Sequence, residues 1–259
     1  MRMMKKVLGT VTVLALSVSL LAGCGSTAAS PVSSAASTAA ESTTSSVVSE
    51  TTSAAADENV AAAAQLLNDL TGSYQELWPV ILADEYQQTW LDDCTALVGE
   101  ENAEAAFEKL SSMVTGDVYG ENAVKAYANG GGAYFCGFTN GLVTLTFDGE
   151  TSTISGTDKD GNVLFSHTYH YIGMEPVRGL YEFESDDADS GEFTYFFLAP
   201  DTSAETYHIE FRYGSDAEAL SQYDAGEYAY WVASGISTDC DQTMIDNCIE
   251  LFCTENLAG

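Results

Sequence analysis

Residues 142–172 read LVTLTFDGETSTISGTDKDGNVLFSHTYHYI, and this stretch decides the fold. Leu142, Val143, Leu145 and Phe147 lead into Asp148-Gly149, and Asp160-Gly161 precedes a second β-rich run over Val163–Ile172. Asp-Gly pairs between runs of β-branched and aromatic residues mark hairpins, because both positions tolerate positive φ. Further runs follow at Tyr181–Glu184, Phe193–Leu198 and Thr206–Tyr213. Short strands joined in order make an antiparallel meander, and a meander of this length closes into a barrel or a sandwich.

Outward from this centre the pattern turns helical. Glu58–Met113 carries apolar residues at helical intervals, Leu66, Leu67 and Leu70 and then Leu77, Val80 and Ile81. Pro79 marks a first turn or a kink there, and a second helix is expected over Glu104–Met113. Downstream, Ser215–Gln222 and Asp241–Cys253 read as helices, the latter capped by Thr238 or Asp239. There is no internal repeat. Residues 58–259 are ample for one domain with its own core.

The N-terminus reads as an address and a tether. Residues 1–23 have the form of a lipoprotein signal peptide, with Arg2, Lys5 and Lys6 ahead of an apolar run over Val7–Leu21 that is short for a membrane span. Leu21-Ala22-Gly23-Cys24 looks like a bacterial lipobox. That likeness implies acylation of Cys24 and anchoring outside the cytoplasm to the cell membrane, through lipid alone. Residues 24–57 follow as a linker. Of the 33 residues from Gly25 to Asp57, 25 are Ser, Thr or Ala, too few apolar groups to repay the entropy of ordering. As a flexible coil the segment spans about 30 Å.

Charge narrows the function. The 259-residue chain carries 8 Lys+Arg against 39 Asp+Glu, a formal net charge of −31. Such a body is repelled by phosphate backbones, whose binding needs Lys/Arg clusters that displace counterions, so nucleic acid is excluded as a partner. Hydrophobic residues at 46% and aromatics at 11% exclude disorder throughout. Cations, metal ions included, are the partners this field favours.

Taken in order, the domain's segments resemble the ZinT family, a lipocalin-like zinc-binding domain also found at the C-terminus of zinc-uptake lipoproteins. The resemblance rests on Leu70-Thr71-Gly72-Ser73-Tyr74-Gln75-Glu76-Leu77-Trp78-Pro79, on His167-Thr168-Tyr169-His170-Tyr171-Ile172-Gly173, and on Phe197-Leu198-Ala199-Pro200 followed by His208-Ile209-Glu210-Phe211-Arg212-Tyr213-Gly214. It covers nearly all of Leu70–Cys253. It implies a mainly β, lipocalin-like (calycin) antiparallel barrel with flanking N- and C-terminal helices that binds zinc and supports its uptake. The family's site uses three histidines, one before an apolar-apolar-Ala-Pro step and two in a His-x-His. Here Phe196 stands at the first position, His208 at the second and Glu210 at the third.

His208 and Glu210 lie two apart on a strand, so both point to one face, while Tyr207, Ile209, Phe211 and Tyr213 take the other. A His and a Glu side by side suit zinc or another divalent cation, but two ligands make a weak site. His167 is the expected third, sharing a face with Tyr169 and Tyr171, with His170 opposite. Asp201, just after Pro200, is a further oxygen donor. The competing expectation is a hydrogen-bonded histidine in a barrel whose metal site has decayed, now binding a small organic ligand or a protein partner. The acidic stretch Glu184–Glu192 reads as a solvated hairpin loop, and Asp158–Asn162 as a turn.

Beyond Cys24 there are five cysteines, an odd count in a compartment that permits disulfides. Cys248 and Cys253, five apart on one helix, are poorly placed to bridge each other. Either Cys240 reaches one of them or Cys94 pairs across the helical segments. No Gly-x-Ser-x-Gly turn, phosphate loop or dinucleotide fingerprint occurs, so no enzymatic activity is expected. Trp78, Trp90, Tyr134 and Trp231 read as core. The expected function is divalent-metal capture, with a metal-uptake ABC transporter system as the further partner.

Overall fold

The computed structural model of the chain describes residues 58–200 and 208–258. The stretches expected to be a signal peptide and a linker, residues 1–23 and 24–57 with Cys24, lie outside the described residues, as does Asp201. Eight strands run in order: β1 (Gly72–Glu76), β2 (Thr144–Asp148), β3 (Thr153–Thr157), β4 (Val163–Met174), β5 (Tyr181–Ser185), β6 (Tyr195–Leu198), β7 (His208–Gly214) and β8 (Ala233–Ser237). Each pairs antiparallel with the next, and β8 returns to β1 with Tyr74 opposite Ser237, so the barrel is closed. The expected antiparallel barrel with flanking helices is what the chain forms.

Helices surround it: α1 over 58–69, α2 (Leu77–Ile81), α3 (Gln87–Val98), α4 (Glu100–Val114), α5 (Glu121–Ala128), α6 (Ala217–Leu220) and α7 (Gln242–Leu257). The stretch expected to be helical throughout contains β1, which starts at Gly72. Pro79 sits in the first turn of α2, where a missing N–H costs nothing. The cap of α7 is Asp241, whose carboxylate accepts the Met244 N–H at 3.0 Å, rather than Thr238 or Asp239. Thr238 is still engaged with β1, its N–H donating to Ser73 O at 2.8 Å.

The two Asp-Gly turns differ in their reasons. Gly161 has φ +79° and meets the expectation of a left-handed residue. At the β2–β3 turn the left-handed residue is Ser152, at φ +52°. Gly149 is required there by close approach instead, since a Cβ would lie 2.4 Å from Asn68 Cα on α1.

Strand alternation divides the packing into two cores. Leu145, Phe147, Ile154, Phe165, Tyr169, Phe183, Phe196, Ile209, Phe211 and Tyr213 form a buried barrel core, joined by Leu66 and Leu67 of α1. A second cluster lies outside the wall, where Ile236 of β8 meets Leu77, Trp90, Cys94, Leu110, Ile249 and Cys253 from α2, α3, α4 and α7. Trp90 is fully buried, its indole N–H donating to Ile81 O at 2.7 Å.

Candidate metal centre

On β7 the apolar set faces inward. Ile209, Phe211 and Tyr213 are at most 1% exposed. Tyr213 stands opposite Phe196 in register, with ring centroids 5.3 Å apart. Phe196 also meets the edge of Tyr169 at 5.4 Å and lies 5.8 Å from Phe165. The Tyr213 hydroxyl accepts the Thr139 N–H at 2.6 Å and donates to Thr139 O at 3.0 Å. These aromatic rings fill the interior around the position where the family resemblance places its first histidine.

His208 and Glu210 do share a face, and it is the outer one, beside Ile236 and Ser234 of β8. Burial of the bulky alternate residues drives this: with a period of two, Ile209, Phe211 and Tyr213 cannot go in without turning His208 and Glu210 out. Glu210 acts on the nearby Cys136 thiol, which is pushed up to about 12, first by burial and then by that negative charge.

His167 lies on the other side of the wall. It shares the inner face of β4 with Phe165, at 6.0 Å between ring centroids, and with Tyr169, at 6.4 Å. Its side chain is 16% exposed, and Nδ1 lies 2.7 Å from Asp187 Oδ2. His170 points the opposite way, as expected, with Nδ1 2.7 Å from Asp186 Oδ1 and Nε2 4.0 Å from Glu184 Oε2. Glu184 is also its cross-strand partner on β5. The neighbouring Asp186 and Asp187 thus each engage a histidine, one on either face of β4. The stretch read as a solvated loop supplies both carboxylates. The signal in the sequence was register: pairing β4 with β5 puts His170 opposite Glu184 and brings the following two aspartates alongside.

Of the residues expected to ligate, the structure brings His208 and Glu210 together and keeps His167 apart from them. His208 and Glu210 are on the outer wall, His167 is inside, and Asp201 lies outside the described residues. Among the described residues no three His, Cys, Asp or Glu side chains converge on a point where a metal ion would sit. The Asp158–Asn162 segment is a turn, its Asp158 carboxyl held below the usual range mainly by hydrogen bonds from Asn162.

Two further features lie on the outer side of the barrel wall. Arg212 of β7 is fully buried, donating to the carbonyls of Leu220 and Tyr228, with its guanidinium 4.4 Å from the Tyr223 ring centroid. Arg178 meets the same ring at 4.3 Å, and the Tyr223 hydroxyl donates to the buried Glu175 at 3.3 Å. A groove of about 330 Å³, lined by Glu76, Trp78, Val114, Phe135 and Cys136 among others, lies against the outer wall. There the Glu76 carboxylate accepts the Phe138 N–H at 2.6 Å.

With this geometry in hand, comparison with known proteins gives a likeness of fold. The chain is similar to a ZinT-like domain. The Zn(II)-bound ZinT-like domain of Streptococcus pneumoniae AdcA superposes with a TM-score of 0.45 at 16% identity, covering 71% of this chain and 89% of that one. Zn(II)-bound AdcA from Streptococcus pneumoniae superposes with a TM-score of 0.42 at 14% identity, covering 72% of this chain and 35% of that one. No protein-family model and no curated protein matches the chain.

Proposed function

We propose that this chain is a lipid-anchored extracytoplasmic protein that gathers divalent cations, zinc first among them, for capture or uptake, and that it carries out no enzymatic reaction. The observation that carries this reading is the two histidine–carboxylate contacts where β5 ends against β4, one on either face of β4, each with an imidazole nitrogen 2.7 Å from a carboxylate oxygen. Each contact supplies two of the four donors that zinc takes, with water completing the set. Two-donor sites bind weakly and exchange readily, which suits hand-over to a metal-uptake transporter better than storage does. The net charge of −31 raises the local cation concentration around them.

The test is elemental analysis of the purified full chain, followed by calorimetric zinc titration of the chain and of three variants. His170→Ala is expected to weaken zinc at least tenfold, with a smaller loss for His167→Ala. A tenfold loss in His208→Ala alone would move the site to the outer wall of β7, with Glu210 as its neighbour. No saturable zinc binding in the parent chain sinks the metal reading.

A second reading has its own observation. Phe196, Phe211 and Tyr213 occupy the barrel interior with no more than 1% exposure, and this apolar filling supports the reading of a barrel whose metal site has decayed. Its binding partner would then engage the outer surface. This reading expects a melting temperature indifferent to both zinc and chelator.

A further inference from the structure

Two of the cysteines face each other across the helical layer. Cys94 lies on α3 and Cys253 on α7, both 0% exposed, with sulfur atoms 3.9 Å apart. They are 159 residues apart in sequence. Both belong to the outer cluster with Trp90, Leu110 and Ile249, so the two helices hold these thiols together through packing that does not depend on the sulfurs. A disulfide needs its sulfurs at about 2.05 Å, so bonding requires the two side chains to turn toward each other.

We propose that Cys94 and Cys253 form a redox-sensitive staple that fastens the C-terminal helix α7 to α3 when the protein meets a disulfide-bearing oxidant. In the reaction one cysteine loses its proton to solvent, and its thiolate attacks the oxidant's disulfide. This gives a mixed disulfide and releases one thiolate of the oxidant. The second cysteine, also deprotonated, attacks the protein sulfur of that mixed disulfide and releases the other thiolate. Both electrons pass to the oxidant, which leaves as two thiols, and the two protein thiols become one S–S bond. Burial raises both thiols above the usual range, further for Cys253, which also feels Cys94. Reaction therefore belongs to folding or to moments when α7 lifts from α3, and the finished bond is shielded from reductant once the helix docks.

The reach of such a staple is long. It closes a loop that holds seven of the eight strands, β2 to β8, and a cross-link restricts the unfolded chain more the longer its loop. The inference stands on the α3–α7 geometry and is independent of metal binding.

The experiment uses the full chain, denatured and reduced, then refolded with oxidised and reduced glutathione. Free thiols are alkylated, the protein is digested without reductant, and peptides are identified by mass. A linked Cys94–Cys253 peptide is the expected result, together with a melting temperature that falls by about 5–15 °C in dithiothreitol. The dithiothreitol shift should disappear in Cys253→Ala and persist in Cys136→Ala. Recovery of both Cys94 and Cys253 as alkylated peptides after oxidative refolding overturns the proposal. So does a parent protein whose melting temperature ignores the reductant, a measurement that needs no variant to fold.

Discussion

At Phe196 a single ring meets Tyr169, Phe165, Phe211 and Tyr213, so its removal leaves a hole among packed rings. Phe196→Ala is expected to cost about 3–5 kcal/mol in urea unfolding, while leaving zinc affinity unchanged if the cation sits at the β4–β5 edge. The sharing of a face by His208 and Glu210 was legible from their spacing, and so was the opposition of His167 and His170 on β4. Which side of the wall His208 and Glu210 occupy was also written in the sequence, because Ile209, Phe211 and Tyr213 are the apolar alternate set that must be buried. The contacts of Asp186 and Asp187 follow from the β4–β5 register, which sets His170 opposite Glu184, and only once that pairing is known does the acidic stretch read as more than a solvated loop.

Among the elements, the strands with bulky alternation declared themselves, and those built of small residues did not. β3 reads Thr-Ile-Ser-Gly-Thr and β8 reads Ala-Ser-Gly-Ile-Ser, neither carrying a run of β-branched and aromatic residues long enough to stand out. They are strands because their neighbours' ladders demand partners. β1 was hidden in a stretch of helical periodicity, where only Gly72 marks the change. The helix α7 is set by a carboxylate cap, and Asp241→Ala is expected to cost about 1 kcal/mol, read as a lowered urea midpoint with an unchanged slope. Residues 217–230 are fastened to the barrel by Arg212, whose planar fork donates to the Leu220 and Tyr228 carbonyls while lying against Tyr223. Lysine cannot reproduce that arrangement.

For the whole molecule, two crowded carboxylates tie stability to pH. The Asp93 carboxyl on α3 is raised above its usual range by burial first, then by Glu250 and Asp246 of α7 and by Asp92. Glu182 is raised by burial and then by Glu175. A folded-state value above the unfolded one means that the native protein holds its proton more tightly. The resulting stability is complete below the unfolded value and is lost as pH rises through the raised one. The share of stability that Asp93 and Glu182 contribute, measured by urea unfolding, is therefore expected to fall as pH climbs from about 4 upward, and Asp93→Asn should flatten part of that slope. The closed barrel has one more consequence, and it is mechanical. β1 is gripped on both sides, by β2 through Gly72, Ser73 and Tyr74 and by β8 through Tyr74, Gln75 and Glu76. Tension applied to the chain ahead of Gly72 must break two ladders at once, where a strand at the rim of an open sheet would unzip from a single neighbour.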